Sequence, residues 1–418
     1  MSRRFDTVSV YVDLEQFKEP ALMGTLRRQG GAAKDIFSFE YDEAWLKRPE
    51  AFAFDPDLAL HVGPQYPPAD RGNFGMFLDS APDRWGRALM QRRENVRARK
   101  EERKPRPLTE WDYLLGVSDE TRVGALRFRA GAEGVFLDSE NRMAAPPITS
   151  LRELQSVSLQ IERHIDDERN PEYERWLSQL VAPGTSLGGA RPKASIRDED
   201  GVLCIAKFPS NQDTRDIGAW ELVAHRLAER AGIDVPQTRA IRMGESPYTT
   251  FLARRFDRTP NQGRLAFVSA MTLTQRVDGE PGASYLELVD LLQSRGADTQ
   301  RDCVEMFRRV VFNILIHNTD DHLRNHGFFI GAHGITLSPV FDINPSIDRT
   351  DLTLAINEIE TACDVKIAME ACGDYGLSSA EAKSILEQVS GSVAGWRKAA
   401  SALKIPRSEQ DLMAPAFE

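Results

Sequence analysis

The sequence has few cysteines, and no two of them have the spacing of a metal site or a redox motif. Only four occur among its 418 residues, at positions 204, 303, 363 and 372. So few thiols, without a Cys-x-x-Cys motif, are typical of reduced cysteines in a cytosolic protein, whereas a small secreted scaffold would be rich in disulfides. We therefore expect a cytoplasmic protein.

Long apolar runs are also missing. No stretch approaches the roughly 20 apolar residues that a membrane-spanning helix needs. The N-terminal residues Met-Ser-Arg-Arg-Phe-Asp carry two positive charges, but the apolar segment of a secretory signal does not follow them. The sequence thus predicts a protein without a membrane partner.

A general excess of positive charge is absent as well, since the net charge is −10 and the isoelectric point is about 5.4. A basic field is the usual footprint of nucleic-acid binding. Residues 92–106 are a local exception, with eight lysines and arginines against three glutamates. This stretch fits a solvated helix and linker, or a docking patch for an acidic partner or a DNA backbone, and both interpretations stay open.

The chain does have the composition of a folded globular protein, with 41% hydrophobic and 28% charged residues. Its length exceeds what a single hydrophobic core usually organises. We predict a small α+β subdomain over residues 1–130, a second region over residues 148–256, and a mainly helical third region over residues 257–418.

Hydrophobic periodicity places strands and helices along these regions. Alternating or short apolar runs predict strands at residues 7–12, 36–41, 123–128, 194–197, 202–208, 240–243, 250–256, 327–330 and 335–340. Apolar stripes with helical spacing predict helices at residues 81–99, 111–115, 150–164, 216–231 and 302–317, and a capping box at residues 378–381 begins another.

A glycine-rich loop lies at residues 184–190, Gly-Thr-Ser-Leu-Gly-Gly-Ala, between a predicted helix and a predicted strand. Glycines permit unusual backbone angles and let N–H groups approach a phosphate. The loop fits neither G-x-x-x-x-G-K-[S/T] nor G-x-G-x-x-G, and an ordinary turn would have a similar composition.

Lys207 is a lone lysine in an apolar strand that follows this loop. Such a lysine often lies at a sheet edge or extends its ammonium group to solvent. In kinases a lysine at this point reaches the nucleotide phosphates and is oriented by a glutamate of the next helix. Glu221 is the acidic residue in roughly that place, and Lys193 is a second candidate for a phosphate contact.

The most informative pattern is Asp320 followed five residues later by Asn325, on a loop between a buried helix and a strand. This is the spacing of the base and the metal-binding asparagine in a kinase catalytic loop. Asp342 follows after a short hairpin. Asn325 and Asp342 offer the hard oxygen ligands that Mg²⁺ prefers, and Asp320 offers a base.

A transition-metal site is the alternative for this segment, because it contains His317, His322 and His326. Only His322 and His326 have the i, i+4 spacing of a helical zinc pair, and no glutamate follows His322 as in H-E-x-x-H. A metal hydrolase would also leave Lys207 and the glycine loop without a role.

Five segments together resemble the HipA family of bacterial kinase toxins. Residues 184–193 resemble its phosphate loop, 206–209 its nucleotide-lysine strand, 251–258 its hinge strand, 318–325 its catalytic loop and 337–345 its metal-binding segment. The last two are the most specific. Similarity at residues 75–83 and 124–128 extends the resemblance over most of the chain.

The resemblance implies an α+β fold: a eukaryotic-protein-kinase-like two-lobe fold with an appended small N-terminal α+β subdomain and a mainly helical C-terminal lobe. It implies ATP and Mg²⁺ as cofactors, with Asp320 as the catalytic residue and Asn325 and Asp342 as metal ligands. The residues that it implies in ATP binding are Ser186, Leu187, Gly188, Gly189, Lys193, Lys207, Glu221, Arg254 and Phe256.

The same resemblance implies an activity and partners. The expected activity is that of a serine/threonine protein kinase toxin acting on a cellular protein such as an aminoacyl-tRNA synthetase. Ser186 would be an autophosphorylation site, where the new phosphate competes with ATP for the same backbone donors. The expected partners are a helix-turn-helix antitoxin of the HipB type and, through it, operator DNA.

Three functions remain open from the sequence. The chain is an active protein kinase, a catalytically weak module that binds an antitoxin and DNA, or a small-molecule phosphotransferase. The presence of Lys207, Asp320, Asn325 and Asp342 favours an active enzyme. No pattern in the sequence identifies the phosphate acceptor.

Overall fold

The computed structural model of the chain describes residues 6–30, 35–131, 134–139, 144–164, 172–181, 189 and 191–418. Helices and strands alternate irregularly through these ranges, so the predicted mixed α+β class is confirmed. The chain divides into two compact units, each built from two stretches of sequence. The first consists of Met1–Asn211 and Arg254–Val268, and the second of Gln212–Ala253 and Ser269–Glu418.

The first unit contains an N-terminal sheet, the helices around it and one further hairpin. Its strands are β1 (Thr7–Val12), β2 (Ala21–Gln29), β3 (Ile36–Tyr41), β4 (Leu126–Arg129), β5 (Lys193–Arg197) and β6 (Leu203–Lys207). Its helices are α1 (Glu43–Leu46), α2 (Gly75–Asp79), α3 (Arg84–Lys100), α4 (Glu110–Leu115), α5 (Leu151–Arg163) and α6 (Tyr173–Val181), with a 3-10 turn at Ile148–Ser150.

The N-terminal sheet is antiparallel, with the strand order β3-β2-β1-β4. The sequence predicted β1 and β3 at their observed bounds, but β2 between them was missed because Gly24, Arg27 and Arg28 interrupt its apolar pattern. Gly24 is needed where it stands, since a Cβ atom there would overlap the carbonyl oxygen of Glu40 on β3.

The basic stretch at residues 92–106 forms the second half of α3 and the loop after it. Several of its cations are paired with carboxylates, among them Arg97 with Glu101, Lys100 with Glu174, Arg103 with Glu94 and Arg106 with Asp112. Burial lowers the pKa of Arg93. Much of the positive charge is therefore compensated within the first unit, which favours the solvated helix and linker over a docking patch.

A buried ionic cluster joins the segment before β4 to the segment after residue 254. The Oδ2 atom of Asp257 accepts hydrogen bonds from Arg255 and Arg258 at 2.6 Å each, and from the backbone N–H of Gly124 at 2.8 Å. Arg255 also donates to the carbonyl of Thr121 at 2.6 Å. Because Asp257 is fully buried and its carboxylate bonds to both segments, the position of each segment depends on the other.

The second unit is mainly helical. Its helices are α7 (Ile217–Arg230), α8 (Ala270–Leu273), α9 (Tyr285–Arg295), α10 (Thr299–Leu315), α11 (Val365–Glu370), α12 (Ser379–Val393), α13 (Trp396–Ala402) and α14 (Arg407–Met413), with 3-10 turns at Leu323–Asn325 and Ala414–Ala416. Its strands are β7 (Thr238–Arg242), β8 (Thr249–Arg254, whose last residue belongs to the first unit), β9 (Phe267–Ser269, which begins in the first unit), β10 (Gly327–Gly331) and β11 (Gly334–Leu337).

Helix α10 organises the core of this unit, where it packs against α9, α11 and α12. The apolar face predicted from its periodicity is buried and includes Met306, Phe307, Val310, Val311 and Ile314. The helix begins at Thr299, three residues before the predicted start. Among the described helices, none combines the length and the apolar character needed to cross a lipid bilayer.

Two charged side chains of α10 hold the antiparallel β10–β11 hairpin. The buried carboxylate of Asp302 accepts from the N–H of Leu337 at 2.9 Å, and Arg309 donates to the carbonyl of Ser338 at 2.8 Å. The strand predicted to end at residue 340 ends at Leu337, because Pro339 has no N–H to continue the ladder. The predicted strand was therefore too long.

Candidate active site

The loop after α10 turns sharply and is held by the end of the helix. His317 has a φ angle of +47°, in the left-handed region that a residue with a side chain seldom occupies. The backbone N–H of Asn318 bonds to the carbonyl of Asn313 at 2.9 Å, and the Asn318 amide donates to the Asn313 side chain at 3.1 Å. These bonds fix the direction in which the loop leaves the buried helix.

Asp320 and Asn325 lie at the two ends of this loop, and they differ in exposure. The Asp320 side chain is exposed, whereas Asn325 is only 6% exposed. The amide nitrogen of Asn325 donates to the backbone carbonyl of Asp320 at 3.3 Å. The bond engages the nitrogen, so Oδ1 is the atom of Asn325 that could take a ligand, while the carboxylate of Asp320 is exposed to solvent.

Asp342 reaches the same region through the hairpin. The N–H of Ser338 bonds to the carbonyl of Gly327 at 2.9 Å, so the chain leaves β11 beside the point where it enters β10. Two residues beyond Asp342, the N–H of Asn344 donates to Oδ1 of Asn318 at 3.3 Å. The structure thus brings the segment of Asp342 against the start of the loop that carries Asp320 and Asn325.

The backbone at Asp342 is itself unusual, with a φ angle of +57°. Aspartate and asparagine tolerate this conformation better than other residues with side chains, but it is still uncommon. Strained backbone of this kind is often retained at functional sites. The same conformation occurs at His317, so a left-handed residue lies in each of the two segments that form the site.

The donor set of this region suits a magnesium ion. The Asp342 carboxylate and the Asn325 amide oxygen are hard ligands, and Mg²⁺ usually keeps several waters besides one or two protein ligands. The Oδ1 atom of Asn344 is buried and has no hydrogen-bond partner among the described residues. An unsatisfied oxygen two residues from Asp342 is consistent with a cation or its waters nearby.

The transition-metal alternative finds no support in the described ranges, which contain no group of three or more His, Cys, Asp or Glu side chains able to hold a metal. His317 lies 3.1 Å from the carbonyl of Ala416, and His326 lies 2.8 Å from the carboxylate of Asp321. Two of the three histidines are therefore engaged in internal hydrogen bonds.

Of the residues predicted on the nucleotide side, Lys193 and Lys207 lie directly opposite each other on β5 and β6 of the first unit. Directly opposite residues of an antiparallel pair project from the same face. Lys207 is half-buried. The Lys193 ammonium group is buried and donates to Asp83 and to the carbonyl of Gly189, both at 2.8 Å.

The other predicted nucleotide contacts have varied surroundings. Arg254 pairs with Asp198 at 2.8 Å and with Asp200, at the turn between β5 and β6. The Phe256 ring lies 5.8 Å from that of Phe267. Glu221 is on α7 of the second unit and is 1% exposed. Ser186, Leu187 and Gly188 lie outside the described residues.

Sequence reasoning missed the residues behind the loop. Asp321, His326, Tyr285 and Asn313 are all buried, and they are hydrogen-bonded to one another. The only signals were the adjacent pair of aspartates at residues 320–321 and a histidine five residues later. No local pattern indicated that Tyr285, on a different helix, would meet them.

Comparison with known families gives two matches along the chain. Residues 17–129 match the HipA N-terminal domain, and residues 185–396 match the HipA-like C-terminal domain. The second match alone covers half of the chain, and it contains Asp320, Asn325 and Asp342. The chain belongs to the HipA family, and the resemblance found in the sequence is confirmed.

Individual relatives are more distant. A protein of Escherichia coli (strain K12) named Toxin YjjJ is 26% identical over 220 residues, which cover 49% of each chain. A protein of Haemophilus influenzae named Putative kinase is 25% identical over 228 residues, which cover 48% of this chain and 66% of that protein. The match thus spans about half to two thirds of these curated relatives.

A solved structure shares the fold. The HipA chain in a complex of HipA, HipB and operator DNA from Shewanella oneidensis MR-1 superposes with a TM-score of 0.65. The superposition covers 98% of this chain and 95% of that chain, at 18% sequence identity. At this identity the likeness describes the fold alone.

Proposed function

We propose that this protein is a serine/threonine protein kinase of the toxin type, which transfers the γ-phosphate of ATP to a cellular protein. The observation that carries the proposal is the meeting of two segments in the second unit. One holds Asp320 and Asn325, and the other holds Asp342. Phosphoryl transfer needs a group that orients the attacking hydroxyl and oxygen ligands for a metal, and these residues offer both.

In this proposal each residue has one task. The exposed carboxylate of Asp320 accepts the proton of the acceptor hydroxyl as that oxygen attacks the γ-phosphorus. Asn325 Oδ1 and the Asp342 carboxylate hold Mg²⁺. Bound Mg²⁺ neutralises charge on the phosphate oxygens. Within the part of the chain that the structure describes, the loop bonds to Asp320 through its backbone carbonyl, and the exposed carboxylate can approach a substrate.

The nucleotide side of the proposal rests on the family resemblance. We assign phosphate contacts to the loop with Ser186, Leu187, Gly188 and Gly189 and to Lys207, with Glu221 orienting the lysine. The hinge strand with Arg254 and Phe256 would contact the adenine through its backbone. We also propose that the chain has three parts. The appended subdomain is residues 1–130, the nucleotide-binding lobe is residues 148–256, and the helical catalytic lobe is residues 257–418.

Regulation and partners follow from the family. We propose autophosphorylation at Ser186 as a self-inactivating step, a HipB-type helix-turn-helix antitoxin as the neutralising partner, and operator DNA reached through that antitoxin in the cytoplasm. The HipA of Shewanella oneidensis was solved with HipB and operator DNA. That assembly, together with a relative named as a toxin, supports the proposal. The target protein, an aminoacyl-tRNA synthetase for example, is to be identified by experiment.

A phosphotransfer assay tests the proposed function. The purified chain would be incubated with γ-labelled ATP, Mg²⁺ and a bacterial lysate, and separately with small-molecule acceptors. We expect label on one lysate protein and on Ser186. Asp320→Asn should reduce the transfer rate by about 10²- to 10⁴-fold, because removing a general base typically has an effect of that size.

Asp290→Asn is the matched control, because Asp290 is an exposed aspartate of α9 in the same unit and should leave the rate unchanged. Equal rates in wild type and Asp320→Asn would refute the role of the loop. Label on small molecules but on no protein would replace the protein kinase by a small-molecule phosphotransferase.

A further inference from the structure

The buried carboxylate of Asp321, in the loop after α10, is hydrogen-bonded to two helices and to the residue before β10. Oδ2 of Asp321 accepts from the hydroxyl of Tyr285 on α9 at 2.6 Å and from the amide of Asn313 on α10 at 2.9 Å. It also lies 2.8 Å from Nε2 of His326, the residue before β10. We call Asp321, Tyr285, Asn313 and His326 the rear cluster.

The rear cluster is shielded from water. The exposed fraction is 0% for Tyr285, 1% for His326 and 2% for Asp321 and Asn313. A buried charge is tolerated only when hydrogen bonds replace its hydration, and three donors on one oxygen do so. Asp321 is the acceptor that the three donors share, so removing it would leave all of them without that partner, and the cluster holds its members more firmly than an exposed contact would.

The protons of the cluster can be assigned from its contacts. A carboxylate oxygen only accepts, so Nε2 of His326 must carry the hydrogen of that bond. Nδ1 of the same ring is buried and has no hydrogen-bond partner in the described part of the chain, so Nε2 is the ring nitrogen through which His326 takes part in the cluster. Burial and the charge of Asp321 raise the pKa of Tyr285 well above its usual value, so its hydroxyl also stays a donor.

The position of the cluster along the chain connects it to the chemistry. Asp321 immediately follows Asp320, and His326 immediately follows Asn325. Two hydrogen bonds therefore connect the start of the loop to its end. One joins Asp321 to His326, and the other joins the Asn325 amide to the carbonyl of Asp320. Because Asp321 and His326 are the chain neighbours of Asp320 and Asn325, the bond between them restrains the backbone of both functional residues.

We propose that Asp321 is a positioning residue, which holds Asp320 and Asn325 at their working separation through its bonds to His326, Tyr285 and Asn313. This inference rests on the proposed function, because it assigns a role within the same site. Asp321 touches neither substrate nor metal. It acts by keeping the base and the metal ligand in register, and errors of about 1 Å at such groups reduce rates by about 10²-fold.

The alternative is that the rear cluster stabilises the fold and has no influence on the chemistry. The two roles differ in what a substitution changes. A purely structural role lowers the fraction of folded enzyme and leaves the kinetic constants of the folded fraction intact. A positioning role lowers kcat and raises the Mg²⁺ concentration at half-maximal rate in enzyme that is still folded and still binds ATP.

The test compares wild type with Asp321→Asn, Tyr285→Phe, His326→Leu and His326→Gln, and with His333→Leu as the control. His333 is an exposed histidine at the turn of the same hairpin. For each protein, kcat, the KM for ATP, the Mg²⁺ concentration at half-maximal rate and the folded fraction are measured. ATP-binding stoichiometry gives the active fraction.

We expect kcat per folded molecule to fall by about 10- to 100-fold in Asp321→Asn and His326→Leu, as for residues that orient a metal ligand. The KM for ATP should stay within about threefold, and the Mg²⁺ requirement should rise. His326→Gln retains an N–H group and should recover part of the rate. Tyr285→Phe should have a smaller effect, since two donors remain.

Unchanged kcat per folded molecule in Asp321→Asn and His326→Leu would overturn the inference. Failure of the proposed function would be seen separately, as wild type that binds ATP without transferring phosphate. In that case the Mg²⁺ dependence of ATP binding decides: a higher Mg²⁺ concentration at half-maximal ATP binding in Asp321→Asn than in His333→Leu supports the positioning role, and identical concentrations overturn it.

Discussion

At the scale of single residues, Lys193 has a surrounding that its sequence position does not reveal. The sequence suggests a phosphate contact, whereas the structure places its ammonium group in a buried pair with Asp83, with both side chains at most 2% exposed. Asp83 also caps α3 through the N–H of Gly86 at 2.7 Å. An ATP contact by Lys193 stays a prediction, and it would require the ammonium group to exchange Asp83 for phosphate.

The pair predicts a large effect on stability from a small substitution. Asp83→Asn retains a good helix cap but leaves the Lys193 charge buried and unpaired. Breaking a buried pair in this way costs about 3–5 kcal/mol. We expect the free energy of unfolding, measured with urea, to fall by that amount.

The double substitution Asp83→Asn with Lys193→Met separates charge from packing. Without the lysine there is no unpaired charge, so most of the lost stability should return. If the double variant were as unstable as the single one, the loss would come from packing around Asp83 rather than from the buried charge.

The spacing of Asp320, Asn325 and Asp342 shows what the sequence can predict at this scale. Their chemistry follows from residue type and separation, and the loop and hairpin between them were visible in the pattern. The rear cluster was not predictable, because Tyr285 and Asn313 come from two helices whose packing is decided by burial. The residue type alone does not indicate whether a hydroxyl or an amide group is buried or exposed.

At the scale of helices and strands, α10 was predicted because a 3.6-residue apolar period extends along it. Strand β2 was missed because two arginines and a glycine interrupt its apolar alternation. These residues are nevertheless compatible with the sheet, since Arg27 pairs with Glu40 of β3 at 2.8 Å. Hydrophobic periodicity reflects which side chains are buried. A strand that is partly exposed and forms ion pairs with its neighbour therefore shows only a weak periodicity.

The hydrogen bonds from α10 to the β10–β11 hairpin give a prediction at this scale. Asp302→Ala leaves the buried N–H of Leu337 without an acceptor, which costs about 1–3 kcal/mol of unfolding free energy. The change is measured by urea unfolding. Asp298→Ala is the control, because Asp298 is exposed at the start of the same helix and pairs only loosely with Arg301 at 3.7 Å.

An equal loss in both variants would contradict this account, since it would mean that the helix terminus rather than the contact with Leu337 was disturbed. The same comparison bears on the site, because β11 leads into the segment of Asp342. Phosphate transfer should therefore fall in Asp302→Ala and remain normal in Asp298→Ala.

At the scale of the whole molecule, each compact unit is assembled from stretches that are distant in sequence. In the first unit, Asp257 bonds to the N–H of Gly124 across 133 positions of sequence. No local sequence pattern indicates such a contact. Composition and periodicity therefore predict regions along the chain, but they do not predict which distant regions fold into the same unit.

Asp257 makes this long-range connection sensitive to acid. Burial alone would raise its pKa, but the charges of Arg255 and Arg258 outweigh burial and hold the pKa below its usual value. A depressed pKa means that the folded state prefers the carboxylate. This stability is present above the ordinary pKa of an aspartate, about 3.9, and is lost as the pH falls below it.

We expect Asp257→Asn to lower the free energy of unfolding by about 3–5 kcal/mol at neutral pH, because two buried arginines lose their counter-charge. The difference from wild type should shrink as the pH falls toward 3. Urea unfolding at several pH values measures it, with Asp70→Asn, an exposed aspartate of the same unit, as the control. A difference that does not change with pH would contradict the charge assignment.

The central claim is that the second unit transfers a phosphate by means of Asp320, Asn325 and Asp342. The most direct measurement is the rate of γ-phosphate transfer to protein by wild type and by Asp342→Asn at equal, saturating ATP occupancy and a range of Mg²⁺ concentrations. The account predicts Mg²⁺-dependent transfer by wild type and transfer near background in Asp342→Asn. Equal rates in the two proteins, or no transfer by wild type with Mg²⁺ and ATP bound, would contradict it.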